Sequence, residues 1–404
     1  MTNCTERIIM NIALVNVVGE EGSTGKLVKN HAAFFTSKGH ICKIFHGRGA
    51  RIDDGLFVKH GCRMDTVVHY GLAKLTGKEG YYSTLFTKRI LKDLKDFAPQ
   101  WIITLNLHGH WLNIPLFLTE ISKMDSYISI HMPDEFPYTA RCEYTNGCDR
   151  FMNQCIGCER YKNIAKQYRD KKACYEKILP KACFTSAEYI VSKARQSSLL
   201  KDAKFNIINP GIDVDYYHPV DADRIKKELN ISNDKIVLLD VAPYSNKRKG
   251  VELFLQAAKK LEGNDKYVFV NVGFDGDNGI IPSNYVAIPY VSDQEKLREI
   301  YSMADCFMCT SMQDALPNAC AEAMSCGTPI IAFNVSGMPF LADYPVLKLI
   351  NDISVDKLVE AIINIEKKDS ELSRKSRDQA VERYAFSKNE KKTLNEYYDV
   401  LSGD

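Results

Sequence analysis

No part of the chain constrains the fold more than Ser302–Leu341, SMADCFMCTSMQDALPNACAEAMSCGTPIIAFNVSGMPFL. Cys306–Thr310 is a short apolar run that suits a buried strand, and Thr328–Phe333 is a second. Between them Pro317 fits a first helical turn, where its missing N–H is no loss. Ala319–Ser325 are good helix formers, and Gly327 supplies a left-handed stop before Pro329. Strand, loop, helix, strand is the repeating unit of a parallel sheet, whose loops gather ligands at the carboxyl ends of the strands. The helix start there offers unsatisfied N–H groups and favours an anion. Asp314 in the loop and Glu322 in the helix bracket that start. A carboxylate repels phosphate and only accepts hydrogen bonds, so its fitting target is a hydroxyl, as on ribose or hexose. For either residue alone, an ordinary solvated carboxylate is the plain alternative.

The acidic pair eight positions apart, the Leu316-Pro317-Asn318 turn and the SCGTPII run at 325–331 together resemble the retaining glycosyltransferases of family 4, which have the GT-B fold. The resemblance implies that Asp314 contacts the transferred sugar and Glu322 the nucleotide ribose. Asp314 stands where Glu is commoner, as in the D-x-LPN branch of that family.

With 404 residues the chain is long enough for two domains of about 200 residues each. Lysine and arginine total 53 against 51 acidic residues, so charge makes no case for nucleic acid or an acidic partner. Thirteen cysteines, an odd number spread along the chain without a secretory leader, point to a reducing cytosol. The apolar stretch Ile8–Val18 is interrupted by Asn11 and Asn16 and is shorter than the ~20 residues that span a bilayer. A cytoplasmic protein, soluble or peripheral on the inner face of the membrane, is expected.

Ile8–Val17 reads as the first strand, followed by the glycine-rich Gly19–Gly25 and a helix through Phe35. A Walker P-loop is excluded, because Glu20 replaces its first glycine and Leu27 follows Lys26. The run Gly22-Ser23-Thr24-Gly25 instead resembles the GSTG segment that family 4 places near donor phosphate and acceptor, with a structural turn as the alternative. Ile41–Phe45, Trp101–Leu105, Tyr127–Ile130 and the start of Lys181–Ser186 read as further strands. Lys74–Phe97 mixes apolar and basic residues at helical spacing; it suits either an anionic membrane surface or packing on its own domain.

His108, His110 and His131 lie just beyond strand ends, where an open sheet collects ligands. His131 matches the family histidine that reaches the donor sugar. Cys142, Cys148, Cys155 and Cys158 are spaced C-x5-C-x6-C-x2-C, which leaves open a structural zinc site, reduced thiols or a disulfide. Four cysteine ligands would leave no open position for catalysis.

Asn206–Asp213 resembles the family's interdomain connection, so the domains are expected at 1–212 and 213–385, with 386–404 a helix returning to the first. Asp213-Val214-Asp215 and Asp275-Gly276-Asp277 spell D-x-D, but a connector and a glycine-rich turn explain both. Ile236–Asp240, Tyr267–Val272 and Tyr285–Ile288 read as strands. Lys247, Arg248 and Lys249 precede a helix at Val251, and three cations at a helix start make sense if an anion joins them. In family 4 this position holds the donor diphosphate, which makes Arg248 and Lys249 candidates for stabilising the leaving group. A second family arginine is replaced here by Pro243. Val291 falls in the loop that packs the base through its backbone.

The expected fold is α/β, two doubly wound, Rossmann-like parallel sheets facing across a cleft. The expected function is metal-independent retaining transfer of a sugar from a nucleotide diphospho-sugar to a hydroxyl of a glycan or lipid-linked glycan in surface polysaccharide biosynthesis. A sugar-nucleotide epimerase or hydrolase, and a noncatalytic sugar-nucleotide-binding protein, are the alternatives.

Overall fold

The computed structural model describes residues 9–178, 182–185, 187–208, 212–277 and 281–385. The expected C-terminal helix and the Asn209–Gly211 part of the connection lie outside the described residues. The chain forms two compact units, the first holding 9–185 and Ile190–Ile207 and the second Ala187–Tyr189 and Ile208–Ala385.

The first unit is built on strands β1 (Asn11–Val18), β2 (Ile41–Arg48), β3 (Phe57–Lys59), β4 (Trp101–Thr104), β5 (Tyr127–His131), β6 (Ala182–Thr185) and β7 (Phe205–Ile207). They are parallel and run in the order β3-β2-β1-β4-β5-β6-β7. The order reverses between β1 and β4, which makes their carboxyl ends the place where an open sheet leaves a crevice. The first helix begins at Gly22, so most of GSTG is the opening turn of Gly22–Ser37 rather than a loop. The amphipathic segment divides into Arg63–Thr76 and Thr84–Phe97, with Gly77 in a left-handed stop (φ 72°) between them. Thr87, Ile90, Leu91 and Leu94 of the second helix are buried, which settles that helix as one packed on its own unit.

The second unit carries β8 (Ile236–Val241), β9 (Tyr267–Val272), β10 (Tyr285–Ile288), β11 (Cys306–Cys309), β12 (Ile330–Phe333) and β13 (Leu347–Ile350). These parallel strands run β10-β9-β8-β11-β12-β13, with the reversal between β8 and β11. Their period-two alternation divides the core into two layers. Val237, Leu239, Phe307, Cys309, Ile330 and Ala332 join one apolar cluster with the helices Gln294–Met303, Asn318–Ser325 and Ser370–Tyr384. Ile236, Leu238, Cys306, Met308, Ile331 and Phe333 join the other with Val251–Lys260 and Val355–Ile363. A strand buried on both faces is apolar at nearly every position, which is why these segments read as near-continuous runs. Cys306 and Cys309 are core residues on opposite faces of that sheet.

The helix of the organising stretch starts at Asn318, with Pro317 as its N-cap in extended conformation. Gly327 closes it at φ 77°, and a Cβ there would stand 2.2 Å from Ser373 Oγ, so both conformation and space exclude a side chain.

Candidate active site

The β8–β11 reversal places the loops after those two strands side by side, and each contributes charge. From the first loop, Lys247–Lys249 forms a single 3-10 turn ended by Gly250 at φ 70°. A Cβ on Gly250 would lie 2.1 Å from the carbonyl oxygen of Thr310, at the end of β11, so glycine is what lets the two loops touch. Met312 N–H then donates to the Arg248 carbonyl at 2.8 Å. Arg248 Nη1 and Lys249 Nζ both donate to Asp314 Oδ2, at 3.0 and 2.7 Å, and Arg248 Nη1 also donates to the Gln313 carbonyl at 2.5 Å. Lys247 turns away to an exposed pair with Glu252. Two of the three cations in the turn therefore converge.

Burial opposes charge on both partners of this pair, yet the attraction between them prevails. Lys249 is held above the ordinary lysine range against burial by Asp314, and Asp314 is held below the ordinary aspartate range against burial by Lys249 and then Arg248. A third loop, after β12, completes the surround. Gly337 N–H donates to the Asp314 carbonyl at 2.9 Å, and a Cβ on Gly337 would fall 1.7 Å from the Ala315 carbonyl oxygen.

Leu316, Pro317 and Asn318 lead from Asp314 into the helix, whose first N–H groups have no acceptor within a helix. Leu316 is half-buried, Pro317 buried and Asn318 exposed. Two residues into that helix from its buried Cys320, Glu322 accepts a 2.7 Å hydrogen bond from the hydroxyl of fully buried Tyr301. Burial and then Glu322 push the Tyr301 phenol well above its usual range, so it stays a donor and orients the carboxylate. Tyr301 was not singled out from the sequence; its only signal was a polar tip at a core position of the Gln294–Met303 helix. Val291 packs partly buried against the same apolar cluster as Leu316.

In the first unit, Gly25 N–H donates to the Glu21 carbonyl at 3.2 Å, Thr24 O accepts from Asn16 at 3.4 Å, and Gly22 is left-handed at φ 67°. The Ser23 backbone lies in the opening helical turn between them. A Cβ on Gly25 would lie 2.3 Å from the Glu20 carbonyl carbon. His131, the last residue of β5, is buried and meets His31 edge to face, with centroids 4.8 Å apart. Burial and the neighbouring His31 drive its pKa well below the ordinary histidine range, so it is a neutral hydrogen-bonding group. Its Nδ1 has no hydrogen-bond partner among the described residues.

His108 behaves oppositely. Its two ring nitrogens face Asp134 Oδ2 and Glu143 Oε1, each at 2.8 Å. Burial opposes its charge, but Asp134 and Glu143 overcome that and raise it to about 10. The imidazolium ties the loop after β4 to the loop after β5. A raised pKa stabilises the fold fully below the unfolded value near 6.5 and loses that contribution as pH rises through about 10. In chemical unfolding, the stability gap between wild type and His108→Gln should therefore be full at pH 6, on the order of 3 kcal/mol for a broken buried pair, and shrink steadily toward pH 10.

Among the described residues no three His, Cys, Asp or Glu side chains are grouped to hold a metal ion. Cys142, Cys148, Cys155 and Cys158 are free thiols; burial, with the neighbouring cysteines adding to it, pushes Cys142 up to about 12 and Cys155 upward. Of the D-x-D runs, Asp213 closes a local turn, accepting from Tyr216 N–H at 2.9 Å, whereas Asp275 reaches the loop after β8, accepting from Ser245 N–H at 2.7 Å and from the Ser245 hydroxyl.

Residues 221–383 match the model described as glycosyl transferases group 1. That match lies within the second unit and covers less than half of the chain, so it is this part that is similar to the group 1 glycosyl transferases. A D-inositol 3-phosphate glycosyltransferase 2 from Catenulispora acidiphila is 26% identical over 153 residues, 33% of this chain and 36% of that protein. The match thus spans about a third of the length of such relatives. The Escherichia coli K12 protein named "Putative colanic acid biosynthesis glycosyl transferase WcaC" is 22% identical over 76% of this chain and 78% of its own. The structure of Anabaena HepE in complex with UDP superposes with a TM-score of 0.67 at 11% identity, covering 96% of this chain and 100% of that one. Two parallel-sheet units of the GT-B type are therefore the fold of this chain.

Proposed function

We propose that the protein is a retaining glycosyltransferase that moves a sugar from a nucleoside diphosphate to a hydroxyl of a glycan or lipid-linked glycan. The observation that carries this reading is the convergence of Arg248 and Lys249 at the β8–β11 reversal, beside the start of the Asn318–Ser325 helix. Departure of a nucleoside diphosphate leaves negative charge on its phosphates. Fixed cations and helix N–H groups stabilise that charge without reorganising, which is the largest single contribution in many enzymes. Glu322, oriented by Tyr301, suits the ribose hydroxyls, and Asp314, released from its cations by the incoming phosphates, suits the sugar. His131 would give the first unit a neutral donor or acceptor for a sugar hydroxyl. In this reading the departing phosphate takes the acceptor proton.

HepE, a fold neighbour, is seen with UDP, which supports the same class of ligand here. The WcaC name supports a polysaccharide acceptor. Among the described residues no helix is long and apolar enough to cross a membrane. Helix Arg63–Thr76 nevertheless exposes Met64, Val67, Val68 and Leu75, the last at 84%, near the solvated Lys74 and Lys78; that composition suits peripheral contact with an anionic bilayer and a lipid-linked acceptor.

The test is a thermal-shift panel of UDP-, GDP-, ADP- and dTDP-sugars on wild type and Glu322→Gln. One donor should raise the wild-type midpoint and be turned over only with acceptor, and Glu322→Gln should weaken it about tenfold, as expected for a charged hydrogen bond to ribose. A midpoint indifferent to every nucleotide sugar would overturn the reading. Turnover of donor without acceptor would favour the hydrolase or epimerase.

A further inference from the structure

Beneath the basic turn lies a carboxylic acid that the sequence did not advertise. Asp240, near the end of β8, is 3% exposed. Its Oδ2 is 2.9 Å from Thr310 Oγ1, and the same oxygen of Thr310 is 3.1 Å from the carbonyl oxygen of Lys249. The proton count of this chain is restrictive. A carbonyl only accepts and a threonine hydroxyl has one proton, so Thr310 cannot give to both neighbours at once. If it donates to Lys249, its oxygen is left to accept from Asp240, and that contact needs a proton on the acid. If Asp240 is ionised, the hydroxyl must turn inward and the Lys249 carbonyl loses its donor. The surrounding packing leaves little room for relaxation, since Gly250 is wedged against the Thr310 carbonyl and Met312 N–H holds the Arg248 carbonyl.

We propose that Asp240 is a neutral positioning acid, the inner end of an Asp240–Thr310–Lys249 proton chain that fixes the backbone from which Arg248 and Lys249 project. The groups facing Asp240 agree with a proton being held there. Asn271 on β9 spends its amide on the Asp240 and Ala242 carbonyls, and burial holds the Tyr285 phenol on β10 above its usual range, so it is a neutral neighbour. Lys249, a cation that acts on it, is committed to Asp314. Burial accordingly raises Asp240 to about 7, against the opposing pull of Thr310, Lys249 and the Val241 N–H. The functional consequence rests on the reading of the basic turn as the diphosphate site; the protonation itself does not.

Asp240→Asn tests the proton, because an amide donates permanently as the neutral acid does. The native acid retains a proton that the unfolded chain, with an aspartate near 3.9, has released. Wild type should therefore lose thermal stability relative to Asp240→Asn as pH rises from about 4 to about 7, after which the gap should stay constant. Parallel stability curves over that range, or a gap that closes with rising pH, would overturn the proposal. Positioning is tested separately at Thr310, with inorganic pyrophosphate as the probe and calorimetry as the readout. Thr310→Ser, which keeps the hydroxyl, should bind pyrophosphate within about twofold of wild type, whereas Thr310→Val should bind it about tenfold more weakly. Equal affinities for Ser and Val would overturn the positioning role. Absence of pyrophosphate binding by wild type would count against the diphosphate reading, leaving the stability curves to decide the proton chain.

Discussion

Lys249→Ala should lower kcat about 100- to 1,000-fold while the protein remains folded, the loss expected when one fixed donor to a developing anion is removed. The reason lies in how little else could take its place. Lys247 is turned outward to Glu252, the second family arginine is replaced by Pro243, and Arg248 is already divided between Asp314 and the Gln313 carbonyl. The variant should still fold, because Arg248 keeps its contact with Asp314 and no buried carboxylate is left alone. The stability loss should stay under about 3 kcal/mol, the lower edge for breaking a buried pair outright. Steady-state kinetics with saturating donor separates this from a binding defect: kcat should fall more than KM rises, since the charge being met develops only as the bond breaks. Unchanged kcat would remove the leaving-group role.

Gly337→Ala should be as damaging without touching any charge. Its Cβ would stand 1.7 Å from Ala315 O and 2.6 Å from Ala315 C, both backbone atoms with no rotamer to change. Either the loop after β12 or the loop carrying Asp314 must move, and the Gly337 N–H to Asp314 carbonyl bond at 2.9 Å goes with it. Overpacking of this kind costs about 1–3 kcal/mol. A displacement of about 1 Å at a reacting centre is enough for a 100-fold loss of rate. Denaturant melts should show the first, and kcat/KM at least the second. A variant with wild-type kcat/KM would mean that the Asp314 loop has no catalytic geometry to protect.

Much of the second unit could be read from residue types alone. β9 and β10 fall at the expected limits, and β8, β11 and β12 within two residues of them, because strands buried on both faces leave a near-continuous apolar run. β3, β7 and β13 went unread. They are edge or near-edge strands of three or four residues, and β13 reads Leu-Lys-Leu-Ile with its two middle residues exposed, too short for an alternation to stand out. The charged residues of the site were named from spacing and resemblance, but their pairing was not. The spacing points Asp314 at hydroxyls, whereas in the structure it accepts from Arg248 and Lys249, 66 and 65 positions away in the chain, contacts no local pattern encodes. Tyr301 and Asp240 were missed for the same reason: each is a polar group inside an apolar run, and only the fold shows which partner justifies its burial.

The central claim is that a nucleoside diphosphate competes with Asp314 for the two cations of the basic turn. The most direct measurement is an experimental structure of the protein with the nucleotide sugar that stabilises it. The account predicts diphosphate oxygens within hydrogen-bond distance of Lys249 Nζ and of the N–H groups at 316–318, with the 2.7 Å Lys249–Asp314 contact opened. A nucleotide bound elsewhere on the second unit, with that contact intact, would contradict it.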